Sequence, residues 1–305
     1  MVSGAGVMQR SLRPLLRASL LACTCLLQPA LSAPVAEAPR IVTFPSADTP
    51  TDERGNYYIQ LLKLALSKID KTIEVRGSSD TSGILRSFTR IAAGQGVDVM
   101  WAPTSPQRER DYLRVRVPLD KGVLGWRIFL IKDRDRERFA AVQTLDQLKE
   151  LAAGQVAEWE DAAILRANGL PVVDAMQYRD IFRMLAADRF VYLPRGIGEI
   201  QGELRNYQHL GLSIETGLAL HYPLCEYFFV ARDNVALAQE LETGLQRATK
   251  DGSFERLFQQ VNGPAIREAG LNKRRIFELT NPAATPGSGQ DACIEGTNAL
   301  RNLSK

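Results

Sequence analysis

The chain contains 305 residues, of which 45% are hydrophobic and 24% are charged, which is long enough and apolar enough for two folded domains. Its 38 basic and 35 acidic residues give a formal net charge of +3. Three of the basic residues lie in an N-terminal segment that is predicted to be removed. The remaining 35 charges of each sign cancel, which excludes the electrostatic footprint of a nucleic-acid-binding protein.

The N-terminal segment, residues 1–33, has the layout of a secretory signal peptide. Three arginines precede an apolar run at 18–27, and small residues follow it. A competing interpretation makes Cys23 a lipidated N-terminus, but only five residues separate it from Arg17, which is short for a signal core. The apolar run is also too short for a permanent membrane span, and no other stretch of about 20 apolar residues follows. We therefore expect the protein to be exported.

The next part of the chain alternates between strand and helix patterns. Strand, helix, strand, helix and strand are predicted in turn at residues 40–44, 56–69, 71–75, 84–92 and 97–101. This order builds a parallel sheet covered by helices.

A polar, arginine-containing loop follows the last of these strands. It runs through Thr104, Ser105 and Arg108, and two further apolar strands are predicted after it, at 113–117 and 123–131. A guanidinium group suits carboxylate binding, because its planar fork donates two parallel, charge-assisted hydrogen bonds. This loop is the first candidate for a binding site.

A second α/β series begins at a capping-box pattern formed by Thr144 and Gln147. It continues with a strand at 156–159, a helix at 161–168, a strand at 171–174, a helix at 178–187 and a strand at 190–193. The chain then returns through 212–220 to a strand at 222–230 and two helices, at 235–250 and 252–261.

This order of segments resembles the periplasmic solute-binding proteins of the polar-amino-acid type. The resemblance covers residues 40 to 279 and is carried by three stretches: Ser105-Pro106-Gln107-Arg108 behind the strand at 98–101, Ala186-Ala187-Asp188-Arg189-Phe190-Val191-Tyr192, and Asp251-Gly252-Ser253-Phe254. It implies an α/β fold of the two-lobed type II class, with two parallel or mixed sheets flanked by helices and a hinge of two strands. The implied parts are a signal peptide at 1–33, a first lobe at 40–124 and 213–280, a second lobe at 125–212, and a flexible C-terminal tail at 281–305.

The resemblance also implies where a ligand binds. In this family the loop's Ser or Thr and Arg hold a ligand carboxylate, which assigns the first lobe's ligand contacts to Trp101, Thr104, Ser105 and Arg108. Without the family, Arg108 is equally a solvated cation that pairs with Glu109 or Asp111, and Trp101 is equally a packing residue.

In the second lobe the implied ligand contacts are Asp161 and Arg195. Asp161 opens a helix, where it is also a suitable cap for that helix. Arg195 stands where amino-acid binders of the family carry an acid, which favours an acidic ligand; alternatively, Glu199 and Glu203 neutralise it.

The function that the resemblance implies is capture of a small polar, carboxylate-bearing solute by a monomeric periplasmic protein. Its partner is the membrane permease of an ABC transporter, and it is not an enzyme and needs no cofactor. Two alternatives share the scaffold: a dehydratase-like enzyme that uses Glu160 or Asp161, and a ligand-sensing partner of a membrane receptor.

Metal and disulfide chemistry depend on few residues. His209 and His221 are the only histidines and have no metal-ligand spacing around them, so no metal site is expected. Cys225 and Cys293 remain after signal removal, either as one disulfide bond or as two free thiols.

Overall fold

The computed structural model describes residues 39–47, 49–81 and 83–284. Within these ranges the strands are β1 (Ile41–Ser46), β2 (Glu74–Thr81), β3 (Val99–Pro103), β4 (Tyr112–Arg114), β5 (Trp126–Lys132), β6 (Ala153–Val156), β7 (Val172–Ala175), β8 (Tyr192–Gly196), β9 (Leu212–Ile214), β10 (Leu218–His221), β11 (Glu226–Ala231) and β12 (Arg275–Glu278). The α-helices are α1 (Asn56–Ser67), α2 (Ile84–Ala92), α3 (Pro106–Asp111), α4 (Arg136–Ala140), α5 (Leu145–Lys149), α6 (Glu160–Ala167), α7 (Tyr178–Ala186), α8 (Ile200–Tyr207), α9 (Val235–Lys250) and α10 (Ser253–Ala269). The predicted signal peptide, its Cys23 alternative and most of the predicted tail lie outside the described residues.

Three sheets organise these elements into two lobes. β1 and β2 form a parallel pair, and β11 lies between β3 and β4 in an antiparallel sheet. The third sheet has seven strands in the order β12-β10-β5-β8-β6-β7, with β9 paired to β5. We call β1–β4, β11 and the helices α1–α3, α9 and α10 the first lobe, and the remaining elements the second lobe.

The chain crosses between the lobes where strand pairing changes. The first crossing lies between β4 and β5, close to the expected boundary at 124. The second expected boundary, at 212, is not where pairing changes, because β9 and β10 still pair with β5. The chain returns to the first lobe only at β11 and goes back at β12, which pairs with β10. By their contacts, the described residues from Pro39 onward belong to one unit.

The cores of the lobes follow from the apolar patterning. All seven residues of β5 are buried, because the strand pairs on both edges and has covered faces. In the first lobe, α1 buries Leu61, Leu62 and Ala65 against α9. Among the described residues, no helix combines the length and apolarity that a membrane crossing needs.

Most helices confirm the predicted pattern, whereas several strands are displaced. α1, α2, α7 and α9 begin at the predicted residues, and Thr144 and Gln147 form the predicted capping box of α5. The strand predicted at 156–159 was wrong: β6 ends at Val156, and the following residues turn towards α6. The loop at 104–108 contains the start of the short helix α3, and the sequence reading missed α8 and β12.

Candidate functional site

A cleft of about 640 Å³ opens between the two lobes. The first lobe contributes the end of β1, the starts of α1 and α2, and β3, while the second contributes the end of β6 and the starts of α7 and α8. Ligand sites in α/β proteins commonly lie at such strand ends and helix starts, between domains. We take this cleft as the candidate site.

Aromatic side chains form much of the wall on both sides of the cleft. On the first lobe, Trp101 stacks on Tyr58, with ring centroids 5.6 Å apart and planes 18° apart. The close approach of Gly55 helps to place this pair, since a Cβ atom there would lie 2.7 Å from the Trp101 ring. On the second lobe, Trp159 and Tyr178 lie with ring centroids 6.1 Å apart. The cleft therefore offers apolar area to a ligand from both lobes.

The guanidinium groups of two arginines of the protein lie over the aromatic rings of the second lobe. The guanidinium carbon of Arg54 lies 3.6 Å from the Tyr178 ring centroid, and Arg54 donates to Asp52 at 2.7 Å. The guanidinium carbon of Arg195 lies 4.5 Å from the Trp159 ring centroid. Since cations favour aromatic faces, these contacts orient the rings that line the cleft.

Arg195 lies in a buried ion network rather than on the cleft surface. It donates to both carboxylate oxygens of Glu203, at 2.8 and 2.6 Å, and lies 3.0 Å from Glu199. Glu199 lines the cleft; although burial opposes it, the guanidinium groups of Arg195 and Arg127 lower the pKa of Glu199. This arrangement matches the alternative in which Glu199 and Glu203 neutralise Arg195.

Asp161 is also held by partners inside the second lobe. It is 5% exposed, forms an ion pair with Arg127 at 2.8 Å and accepts a hydrogen bond from the Tyr222 hydroxyl. It lies in the first turn of α6, whose N-cap Trp159 makes no side-chain capping bond. Its carboxylate compensates the buried charge of Arg127.

Arg108 joins the two lobes. Its guanidinium group forms an ion pair with Glu160 of α6 and donates to the Pro103 carbonyl at 2.7 Å. The guanidinium carbon also lies 5.2 Å from the Phe88 ring centroid. Only 9% of the Arg108 side chain is exposed, so Glu160 occupies the position where a ligand carboxylate was expected.

Thr104 and Ser105 support the α3 turn. Ser105 is the N-cap of α3 and accepts the backbone N–H of Arg108 at 3.3 Å. Thr104 is 2% exposed and donates to Glu109 at 2.6 Å. Both hydroxyl groups therefore position Arg108 and its helix.

A second acid reaches across the cleft to the start of α2. The carboxylate of Glu158 accepts the backbone N–H groups of Ile84 and Leu85, at 3.3 and 3.4 Å. These amides have no partner inside their own helix, and the helix dipole favours an anion there. A carboxylate of the protein thus lies inside the cleft on two backbone donors.

The sequence reading missed Glu226, which lines the cleft from the first residue of β11. It is 9% exposed, and burial, followed by the charge of Asp120, raises its pKa well above the ordinary value. The available signal was a lone acid between Cys225 and Tyr227 in an otherwise apolar strand. Buried acids without a basic partner are common at functional sites.

Comparison with known proteins identifies the architecture. No protein-family model matches the chain, and no curated protein matches it either. Three solved structures resemble it: an ancestral arginine-binding protein bound to glutamine (15% identity, 74% of this chain and 99% of that one, TM-score 0.56), a Salmonella typhimurium periplasmic binding protein with high arginine specificity (15%, 73% and 99%, 0.53), and the substrate-binding protein of an amino acid ABC transporter (14%, 72% and 98%, 0.51). The chain has the type II periplasmic binding-protein fold.

Within this type II fold, the predicted site residues fall into two groups. Trp101 lines the interlobe cleft. Four others lie near the cleft without lining it: Thr104, Ser105, Arg108 and Asp161. Arg195 does not line the cleft itself but contacts Trp159 and Glu199 of the cleft wall. Since Glu160 and Asp161 are both ion-paired, neither gives specific support to the dehydratase-like alternative.

Two further predictions concern metals and cysteines. Within the described part of the chain, no group of three or more His, Cys, Asp or Glu side chains is arranged to hold a metal ion. Cys225 is 1% exposed and disulfide-bonded, whereas Cys293 lies outside the described residues.

Proposed function

We propose that this protein captures a small polar, carboxylate-bearing solute in the cleft and delivers it to the membrane permease of an ABC-type transporter. The observation that carries the proposal is the cleft of about 640 Å³ between two lobes. Closure of two lobes buries a solute of that size and needs no chemistry. The similar structures are described as binding proteins, which supports a binding role here over an enzymatic one.

The donors inside the cleft support a carboxylate-bearing solute. Glu158 already places a carboxylate on the amides of Ile84 and Leu85, and a solute carboxylate in its place would keep those hydrogen bonds. The exposed cations Arg86 and Arg179 also line the cleft, one on each lobe. They would favour the entry of an anionic group.

The predicted ligand contacts take different roles in this proposal. Trp101 contacts the solute directly and packs against its apolar part. Arg108, with Thr104 and Ser105, fixes the first lobe to Glu160, and Asp161 and Arg195 hold the second lobe's side of the cleft in shape. In this proposal the protein acts as a monomer in the periplasm. The similar Salmonella typhimurium protein is described as periplasmic, which supports that compartment.

Thermal melting against a solute panel tests this function. The panel holds amino acids, dicarboxylates, short peptides, sugars and aromatic acids, applied to the protein without its signal peptide. A solute at about 100 times its dissociation constant stabilises the folded state by about 2.7 kcal/mol, which raises the melting temperature measurably.

Variants of the cleft locate the binding site. Trp101→Ala should lose the shift, whereas Val235→Ala, an exposed apolar residue outside the cleft lining, should keep it. A panel in which no carboxylate compound stabilises the protein contradicts the proposed ligand class. A shift that survives Trp101→Ala places the site elsewhere.

A further inference from the structure

Glu226 of the cleft lining and the buried Asp120 beside it form an acidic pair, which we call the floor of the cleft. Neither acid forms an ion pair within the described chain. The Oε2 atom of Glu226 is fully buried and has no hydrogen-bond partner, and no Lys, Arg or His of the described residues forms an ion pair with this side chain. Asp120 lies beside it, 2% exposed, and accepts the backbone N–H of Glu226 at 3.3 Å. A buried acceptor without a donor is costly, so this floor is incomplete without a further group.

The other acids of the cleft differ from Glu226 in this respect. Asp52 pairs with Arg54, Glu199 lies next to two guanidinium groups, and Glu158 accepts two backbone N–H groups. Among the described acids that line the cleft, Glu226 is therefore the one with a buried carboxylate oxygen that no donor reaches.

The directions of the pKa shifts agree with this geometric contrast. Burial raises the pKa of Asp120 to about 6, against three backbone hydrogen bonds from neighbouring residues that lower it. For Glu226, burial comes first and the charges of Asp120, Glu199 and Glu160 add to it, whereas Arg108 acts in the opposite direction. Tyr58 faces the same floor, and burial followed by the charge of Glu226 raises the pKa of its hydroxyl group. The floor thus favours either a bound proton or a cation.

We propose that Glu226 binds a cationic group of the solute, an ammonium or a guanidinium. This inference rests on the proposed function and narrows its ligand to solutes that carry a positive charge as well as a carboxylate. A cation would give Oε2 its missing donor and would compensate the charge shared with Asp120. The aromatic side chain of Trp101 lines the same cleft and offers apolar contact to the carbon chain that bears the cation.

The test uses methylguanidinium and methylammonium as the cations alone, titrated calorimetrically with sodium chloride as the ionic-strength control. We expect at least one of them to bind the wild type and to bind Glu226→Gln about 10- to 100-fold more weakly, the range that the loss of a charge-assisted hydrogen bond produces. The matched variant Glu242→Gln removes an acid of α9 that does not line the cleft, and it should keep the affinity. Circular dichroism and the melting temperature establish that each variant is folded.

A second measurement does not depend on any variant. Because burial raises the pKa of Glu226 and a bound cation favours its charged form, cation binding at a pH below that raised pKa should release a proton. The observed enthalpy should then change with the ionisation enthalpy of the buffer. The inference is overturned if neither cation binds, or if Glu226→Gln and the wild type bind equally. A panel solute that lacks any cation and binds both proteins equally also overturns it, yet leaves the proposed solute-binding function intact.

Discussion

At the residue scale, Glu226 links burial to the pH dependence of the ligand-free protein's stability. Its pKa is raised in the folded state above the ordinary value of 4.5, so between these two values the folded state binds more protons than the unfolded state. Stability contributed by this group is therefore lost as the pH rises from 4.5 towards the folded pKa, by up to about 1.4 kcal/mol per pH unit. Glu226→Gln removes this loss, so urea unfolding at several pH values should show the variant gaining on the wild type as the pH rises.

A matched substitution separates this effect from general changes in charge. Glu242→Gln on α9 removes an acid far from the cleft floor, and its free energy of unfolding should stay parallel to that of the wild type across the pH range. Parallel curves for Glu226→Gln would show that Glu226 is charged and compensated in the folded protein.

The sequence indicated part of the candidate site but not the residues that pair with its charged side chains. The family resemblance assigned Trp101, near the end of a strand and before a polar loop, to the ligand contacts, and its side chain lines the cleft. The partner of Arg108 was not readable, because Glu160 lies 52 positions further along the chain and meets it only when the lobes come together. Glu226 was hidden by an apolar strand pattern that assigned the whole segment to the core.

At the element scale, the crossing of α1 and α9 depends on one glycine. A Cβ atom at Gly244 would lie 2.1 Å from the carbonyl oxygen of Ala65, which is a fixed backbone atom. Gly244→Ala must therefore push the helices apart, at a cost of about 1–3 kcal/mol despite the better helix propensity of alanine. Chemical denaturation measures this cost, and Gln246→Ala on the exposed face of α9 should be nearly neutral.

The displacement of α1 in Gly244→Ala should also weaken solute binding in the cleft. Gly55 and Tyr58 lie at its N-terminal end and contact or stack on Trp101, so a panel solute should bind Gly244→Ala more weakly than Gln246→Ala. If Gly244→Ala and the wild type are equally stable, α1 and α9 can move apart at this crossing without loss of stability, and the prediction is wrong.

Helices were more predictable than strands in this chain for a physical reason. An amphipathic helix such as α1 shows its buried face in the local sequence, and Asn56 starts it where the pattern begins. The helix α8 buries only Ile200 and Glu203, so it has almost no apolar stripe to detect. In the strand β12 the two end residues are exposed and the two middle ones half-buried, and the strand forms because it pairs with β10, more than 50 residues earlier. Such pairing is a tertiary property.

At the scale of the whole molecule, contacts between the two lobes determine their relative position in the ligand-free protein. Arg108 pairs with Glu160, Glu158 meets the start of α2, and the Asn206 side chain donates to the Thr51 carbonyl at 2.9 Å. The resemblance to solute-binding proteins, carried by the order of strands and helices, implied two lobes. It could not predict these contacts, or the return of β12 to the second lobe, because both depend on the final packing.

The Arg108–Glu160 pair is the most buried of these contacts, with 9% and 17% of the two side chains exposed. Arg108→Met keeps the apolar length of the side chain but leaves Glu160 without its cation, which should cost about 3 kcal/mol of unfolding free energy. The double variant with Glu160→Gln leaves no uncompensated charge, so it should regain most of that loss, and the two substitutions should be strongly non-additive. Arg76→Met breaks an exposed pair with Glu74 and should change the unfolding free energy by less than about 1 kcal/mol.

Small-angle scattering should show a larger radius of gyration for Arg108→Met than for the wild type, because the lobes lose their buried ion pair. If the two substitutions are additive and the radius of gyration is unchanged, the remaining contacts between the lobes hold them together instead.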